Sequence, residues 1–433
     1  MSDSRPASTV PATPTDPPAS PFVARAALPK ERATTIDALR GVAILGILLL
    51  NIRSFGLPNA AYQLPSIVSN TTADLWAYSV TTVVAQSKFI TIFATLYGAG
   101  ILLSTRRADE AGVPAFGTFF RRSAILAGVG LIHLTLIWHG DILLAYAVIG
   151  MLAFPVRRLS SQWLWIFAIV GNLITVLLFA ALAFFMWAGV THGDMPPSKF
   201  YGGDAAIAAE VAAYRGGWLD EQKQRLMNGV MILIFMFIFF LPNLWGLMCA
   251  GMALLRNGFL TGGWSAKRYI VGGVAGVVIG MGGSAIIVAL GWQNGWPVVG
   301  YLGVGQAALL PFALVASFGI ASLLIGHVAA GKTPWLTVAL AACGRMAFTN
   351  YLAQSVLATT FFYTFNWFGH LGYAKQLLAV AAIWALEIAW SVLWLSRFRY
   401  GPLEWVWRGL SYGKFPPLRR EAAAVRSGDA QLT

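Results

Sequence analysis

The chain has 433 residues, of which 58% are hydrophobic and only 11% charged, with a formal net charge of +13. A soluble domain carries about 25% charged residues, so this composition excludes an ordinary water-soluble protein and implies an all-α, polytopic transmembrane bundle. The mean hydropathy of +0.68 agrees.

Residues 1–33 are rich in Pro, Ala, Ser and Thr and read as a disordered cytoplasmic tail. They hold no apolar core of signal-peptide type, so the first membrane helix is expected to be a retained anchor. A spanning helix needs about 20 apolar residues. Ten segments qualify, at roughly 36–53, 75–104, 119–138, 141–156, 163–190, 228–255, 269–291, 299–326, 336–364 and 375–396. The fourth is short. Together they define a transmembrane domain over 34–418, with an extracytoplasmic loop at 191–227 and a cytoplasmic tail at 419–433. Within the loop, Asp204 to Arg215 has the pattern of a short interfacial helix.

With both ends in the cytoplasm, 23 of the 30 Lys and Arg residues fall on the cytoplasmic side and 6 on the other. That bias satisfies the positive-inside rule. It also accounts for the high isoelectric point without nucleic acid, because short basic loops are attracted to anionic membrane lipid.

Polar residues in such a background are functional candidates. On the first helix Asp37 and Arg40 are three residues apart and neighbours on one face. Asn51, three turns further on, returns to the same azimuth. Asp37 would hold the Arg40 guanidinium for a phosphate or carboxylate, or the two form a structural ion pair. Lys88 lies mid-helix and needs an acidic partner, for which Glu387 on the last helix is the candidate, or an anionic ligand. Gly98 and Gly100 follow, permitting close backbone approach.

The densest polar stretch is Gly130-Leu-Ile-His133, continuing through His139-Gly140-Asp141 at a helix end. A histidine beside a carboxylate is an acid–base arrangement, the carboxylate setting the tautomer. His133 and Asp141 are two turns apart on a continuous helix, or joined across the turn. Each also has a plainer structural role, His133 as a core residue and Asp141 as a helix cap. Later, Arg345, Thr349, Asn350 and Gln354 form a polar stripe that glues helices together or lines a cavity. Glu404 and Arg408 are spaced as an i,i+4 pair beside Trp405 and Trp407. Cys249 and Cys343 read as core residues, and the chain has no Walker loop, zinc motif or metal-spaced cysteines, so no metal is expected.

The ordered set is Ile-Asp37-Ala-Leu-Arg40-Gly, Asn51, Lys88-Phe, Leu-Tyr97-Gly-Ala-Gly100, Arg121-Arg122, Gly-Leu-Ile-His133, Gly-Asp141-Ile-Leu with Tyr146, Gly-Arg345-Met-Ala-Phe-Thr-Asn-Tyr351 and Gly-Pro-Leu-Glu404-Trp-Val-Trp-Arg408. It resembles the YeiB family of bacterial inner-membrane proteins over about Ala33 to Leu418. Tyr97 stands where the family pattern has Phe. That family is similar to membrane acyltransferases such as heparan-glucosaminide acetyltransferase and the O-acyltransferases of surface sugars. The resemblance implies an enzyme passing an acyl group from cytosolic acyl-CoA to a sugar, lipid or small-molecule acceptor. Arg40, Lys88 and Arg345 would engage the donor's phosphates, and His133 would be the base or acyl carrier, supported by Asp141. The wider group's catalytic histidine falls at His133 or His139. The alternative is a transporter or flippase for an anionic solute or lipid, with Asp37, Arg40, Lys88 and Glu387 as its charges. The first five helices show no repeat in the last five, which counts against an inverted-repeat transporter. Membrane lipids are the expected surroundings, no nucleic-acid partner is expected, and the pattern leaves room for a homodimer.

Overall fold

The computed structural model describes residues 29–68, 71–112, 114–193, 195–331 and 333–420. Most of the expected N-terminal tail and residues 421–433 of the expected C-terminal tail lie outside them. Among the described residues the structure is helical, apart from one isolated antiparallel bridge between Phe398 and Arg419.

The helices are α1 (Pro29–Gly56), α2 (Thr72–Ala85), α3 (Lys88–Glu110), α4 (Phe116–Ile132), α5 (Leu143–Ala153), α6 (Ser161–Thr191), α7 (Gly203–Arg215), α8 (Trp218–Phe235), α9 (Leu241–Arg256), α10 (Ala266–Gln293), α11 (Gln306–Ala329), α12 (Pro334–Arg345), α13 (Ala347–Thr359), α14 (Tyr373–Arg397) and α15 (Pro402–Tyr412). Eight runs are long and apolar enough to cross a membrane: α1, α2 with α3, α4 with its following turn, α6, α8 with α9, α10, α11 and α14. The chain is a multi-pass membrane protein on that count. Its outer surface is correspondingly greasy, with Leu177, Val278, Ile286 and Leu378 all more than half exposed.

Four of the ten expected spans differ. The second breaks at Gln86 and Ser87 into α2 and α3, so Lys88 opens α3 instead of lying mid-helix. The fourth is α5, only 11 residues long. The ninth breaks at Met346 into α12 and α13. The expected span at 228 begins ten residues earlier, at Trp218, because α8 continues out of the apolar zone on Asp220, Glu221 and Arg225. The expected interfacial helix is present as α7.

Helix α1 is the hub. Ala38, Leu39, Ala43, Ile44 and Leu48 have no exposed surface, and α1 packs against α3, α11, α12, α13 and α14. The approach to α12 is closer than side chains permit: a Cβ on Gly41 would strike the Leu340 carbonyl, and one on Gly344 the Asp37 carbonyl. Gly98 similarly meets the Met248 backbone of α9, whereas Gly100 faces open space.

This central helix separates Lys88 from Glu387, so the expected pair does not form. The Lys88 ammonium donates to Ser284 Oγ of α10 at 3.2 Å and to the Gln86 carbonyl at 3.3 Å. On α14, Glu387 accepts from Gln354 Nε2 at 2.9 Å, and the same amide donates to the Ile44 carbonyl of α1. Groups that share no partner contribute independently. A cycle of Lys88→Met, Glu387→Leu and the double variant, followed by thermal unfolding in detergent, should give a coupling energy within about 0.5 kcal/mol of zero.

Candidate functional site

Helix α4 ends at Ile132 and continues as one π-helical turn, His133–Ile137. Such wide turns recur at functional sites. Trp138 then adopts an extended backbone, and the chain reverses through Gly140 into α5. The reversal brings His133 and Asp141 together. His133 Nδ1 lies 2.8 Å from Asp141 Oδ1, and both side chains are buried. Asp141 Oδ2 accepts the Leu144 N–H at 2.8 Å, closing the first turn of α5. The cap and the histidine partner are therefore one carboxylate. With Nδ1–H donating to Asp141, His133 Nε2 is left with its lone pair, and that buried atom has no partner among the described residues.

Two residues outside the expected set hold this arrangement. The Tyr351 hydroxyl accepts the Ile142 N–H at 3.2 Å, and its ring centroid lies 5.3 Å from that of His133. Gly130 supplies the clearance: a Cβ there would meet the Leu144 nitrogen and lie 2.8 Å from Asp141 Oδ2. The motif contained both, but nothing in spacing alone distinguishes a clearance glycine from any other.

Two cavities border this turn through Trp138, Gly140 and Ile142, while His133 and Asp141 themselves lie behind the walls and line neither. The inner one, so called for its place at the Arg40 end of α1, has about 310 Å³ and is lined by Arg40, Arg122, Arg345 and Glu404 together with Tyr97, Tyr146, Ile142 and Tyr351. The outer one, of about 470 Å³, is lined by Asn51, Ser54, Trp138, Gly140 and Ile142 among others. Ile142 belongs to both. Arg40 and Asn51 share one face of α1 as their spacing implied, but eleven residues of helix put them about 16 Å apart, one in each cavity.

The other expected site residues divide. Asp37 holds the Arg40 guanidinium at 3.0 Å. Arg345 lines the inner cavity and donates to the Arg399 carbonyl at 2.8 Å. Asn350 does not line either cavity; it donates to Ser391 Oγ at 3.0 Å and accepts from Trp390 Nε1 at 2.7 Å, tying α13 to α14. Lys88 and Glu387 also lie off both cavity walls. An ion pair of Glu404 with Arg408 does not form. Instead Glu404 caps α13, accepting from the Phe348 and Thr349 N–H groups at 2.8 and 3.1 Å and from the Thr349 hydroxyl, while Arg408 lies over the Tyr400 and Tyr412 rings. Arg122, not among the expected site residues, packs on Trp407 at 4.6 Å beside the inner cavity.

His139 faces away from Asp141. Its Nε2 is 3.1 Å from Ser54 Oγ and its Nδ1 is 2.9 Å from the Tyr214 hydroxyl of α7. Asn228 Nδ2 donates to Tyr214 and to Glu210 Oε1, and Glu210 also accepts the Asn59 N–H. Arg215 Nε donates to the Phe368 carbonyl at 2.8 Å. Helix α7 is thus clamped over this end rather than left as a solvated connector. Burial, reinforced by the Arg225 guanidinium, lowers His139 to about 3 and keeps it neutral. Burial raises Glu210 to about 6, against the pull of its Asn228 and Asn59 donors.

A bundle of apolar helices that encloses a buried His–Asp pair beside two cavities defines a polytopic membrane protein with polar side chains in its interior. The family model described as "Protein of unknown function (DUF418)" matches residues 254–414. Uncharacterized protein YeiB of Escherichia coli (strain K12) is 35% identical over 386 residues, covering 88% of this chain and 96% of that protein. Uncharacterized protein YxaH of Bacillus subtilis (strain 168) is 29% identical over 414 residues, covering 91% and 98%. The chain belongs to this YeiB-like DUF418 family. No solved structure matches it.

Two outcomes follow from the geometry. Gly130→Ala should push Asp141 off His133 and destabilise the protein by about 1–3 kcal/mol in thermal unfolding, as overpacking does. The α7 clamp carries two opposed titrations. Glu210 holds its proton more tightly folded than unfolded, so its cost grows as pH rises from 4.5 to about 6. His139 holds one less tightly, so its cost grows as pH falls below 6.5. Glu210→Gln should therefore leave only the His139 slope: α7 amide protection, measured by hydrogen exchange, should rise more steeply between pH 4.5 and 6.5 than in the wild type.

Proposed function

We propose that the protein is an integral-membrane acyltransferase of the bacterial inner membrane. It would take an acyl group from acyl-CoA at the inner cavity and deliver it to an acceptor in the outer one. The observation that carries this reading is the buried His133–Asp141 pair with His133 Nε2 unpartnered, set behind Ile142, the residue that both cavities share in their walls. The basic residues support an orientation with both ends in the cytoplasm, which puts Arg40, Arg122 and Arg345 on the side where acyl-CoA is found. Three guanidinium groups suit a phosphate-bearing donor.

In the proposed reaction His133 Nε2 takes the proton of an acceptor hydroxyl or amine. The freed oxygen or nitrogen attacks the thioester carbonyl, the C–S bond breaks, and the proton passes to the departing thiolate. The products are the ester or amide and free CoA. Asp141 positions the imidazole and stabilises its protonated form, a role in which a carboxylate need not itself change protonation.

A second reading draws on the same stacked cavities: passage of an amphiphile or anion from one to the other with no chemical change. The two differ in one readout. Purified protein with an acyl-CoA panel should release free CoA or gain an acyl mass. His133→Ala should lower that rate by about 10²-fold or more, and Asp141→Asn should lower it as well, each compared with wild type at equal amounts of folded protein. Solute flux in vesicles without CoA release would favour transport instead.

A further inference from the structure

The outer cavity has a composition that selects its occupant. None of the residues lining it carries a charge. Its polar surface consists of amides and hydroxyls, including Asn51, Gln63, Gln86, Asn243 and Ser54, set among Leu50, Ile232, Phe240 and Leu310. The two cations nearest in sequence to its walls are committed elsewhere. Arg53 donates to the Tyr78 carbonyl at 2.9 Å and to the Thr82 hydroxyl at 3.0 Å and stacks on the Tyr78 ring at 4.1 Å. Lys88 turns toward Ser284. An anionic headgroup would lose its water here and find no counter-charge. A neutral polyol meets no such penalty, because amides and hydroxyls replace its water bonds one for one.

The cavity wall also indicates how the occupant enters. Met231 and Phe235 line it and are 65% and 41% exposed on the apolar outer surface. One layer of side chains therefore separates it from lipid. The wall continues through a second π-helical turn, Met236–Phe240, whose Met236 and Phe240 also face the cavity. Across from it, Trp138 Nε1–H is buried, lines the cavity and has no acceptor among the described residues. That orphan donor, stacked on Phe55 at 4.1 Å, awaits an oxygen from the occupant.

We infer that the outer cavity binds a neutral, hydroxyl-bearing amphiphile, such as a sugar headgroup on an acyl or prenyl-type chain, that enters from the bilayer past Met231 and Phe235 of α8. This rests on the acyl-transfer reading for the consequence that one of its hydroxyls is the acceptor. The binding itself does not depend on that reading.

The test uses full-length protein in phosphatidylcholine nanodiscs with a diazirine-bearing glucosyl diacylglycerol. Photolabel is expected on peptides holding Met231 and Met236. Untagged glucosyl diacylglycerol should compete, whereas phosphatidylglycerol and free glucose should not. Ile232→Trp, which fills the wall, should cut labelling by about tenfold or more while acyl-CoA binding is retained. That factor corresponds to about 1.4 kcal/mol. Gln86→Lys should turn the preference toward phosphatidylglycerol. Equal competition by phosphatidylglycerol in the wild type, or label outside the cavity lining, overturns the inference. Acyl transfer to free glucose with release of CoA, but without lipid labelling, would overturn it while leaving the transferase reading standing. Labelling as expected with no acyl mass on the lipid would uphold the site and reject the transferase reading.

Discussion

The polar centre depends on one constraint: Asp141, fully enclosed among apolar helices, must have all its acceptor capacity met locally. A carboxylate moved out of water is costly unless paired and hydrogen-bonded. Here one oxygen takes His133 Nδ1–H and the other the Leu144 N–H. The same two bonds orient the imidazole and start α5, so the tight reversal, the short helix and the histidine's tautomer stand or fall together. Gly130 is small because the α5 backbone passes where its side chain would be.

Around that centre α1 acts as a spine shared by both cavities. Its face carries Arg40 at one end and Asn51 at the other, and glycine contacts at Gly41 and Gly344 draw α12 close enough to bring Arg345 beside Asp37 and Arg40. The two cavities consequently differ in chemistry while meeting at Ile142. The inner one is framed by guanidinium groups already steadied by Asp37, the Arg399 carbonyl and Trp407. The outer one is uncharged. A chemical group that must be passed between a charged carrier and a neutral amphiphile would meet the septum between them.

The outer end is closed by a different device. Helix α7 buries Glu210 and Tyr214 against Asn59, Asn228 and His139. His139, one of two histidines in the same motif, belongs to this clamp, and its neutral ring bridges Ser54 and Tyr214 instead of facing Asp141. Two histidines six residues apart serve different neighbours because the chain leaves the helix between them, at Trp138.

The class, the family and most of the helices were legible in the chain alone, because apolar runs of spanning length are local properties that burial in lipid enforces. The chain alone also determined the Asp37–Arg40 pair, which needs only helical spacing. It named His133 and Asp141 but left open how they meet, since eight residues of separation suit either a straight helix or a turn. Tertiary structure alone decided that question, through the π-helical turn and the reversal at Gly140. It alone decided that Lys88 and Glu387 never pair, because α1 stands between the helices that carry them, and that Asn350 and Glu404 are structural bonds at helix junctions. Partner choice among buried polar groups depends on which helices are neighbours, and in an apolar bundle of similar helices that adjacency is written in backbone approach and packing rather than in the pattern of any one segment.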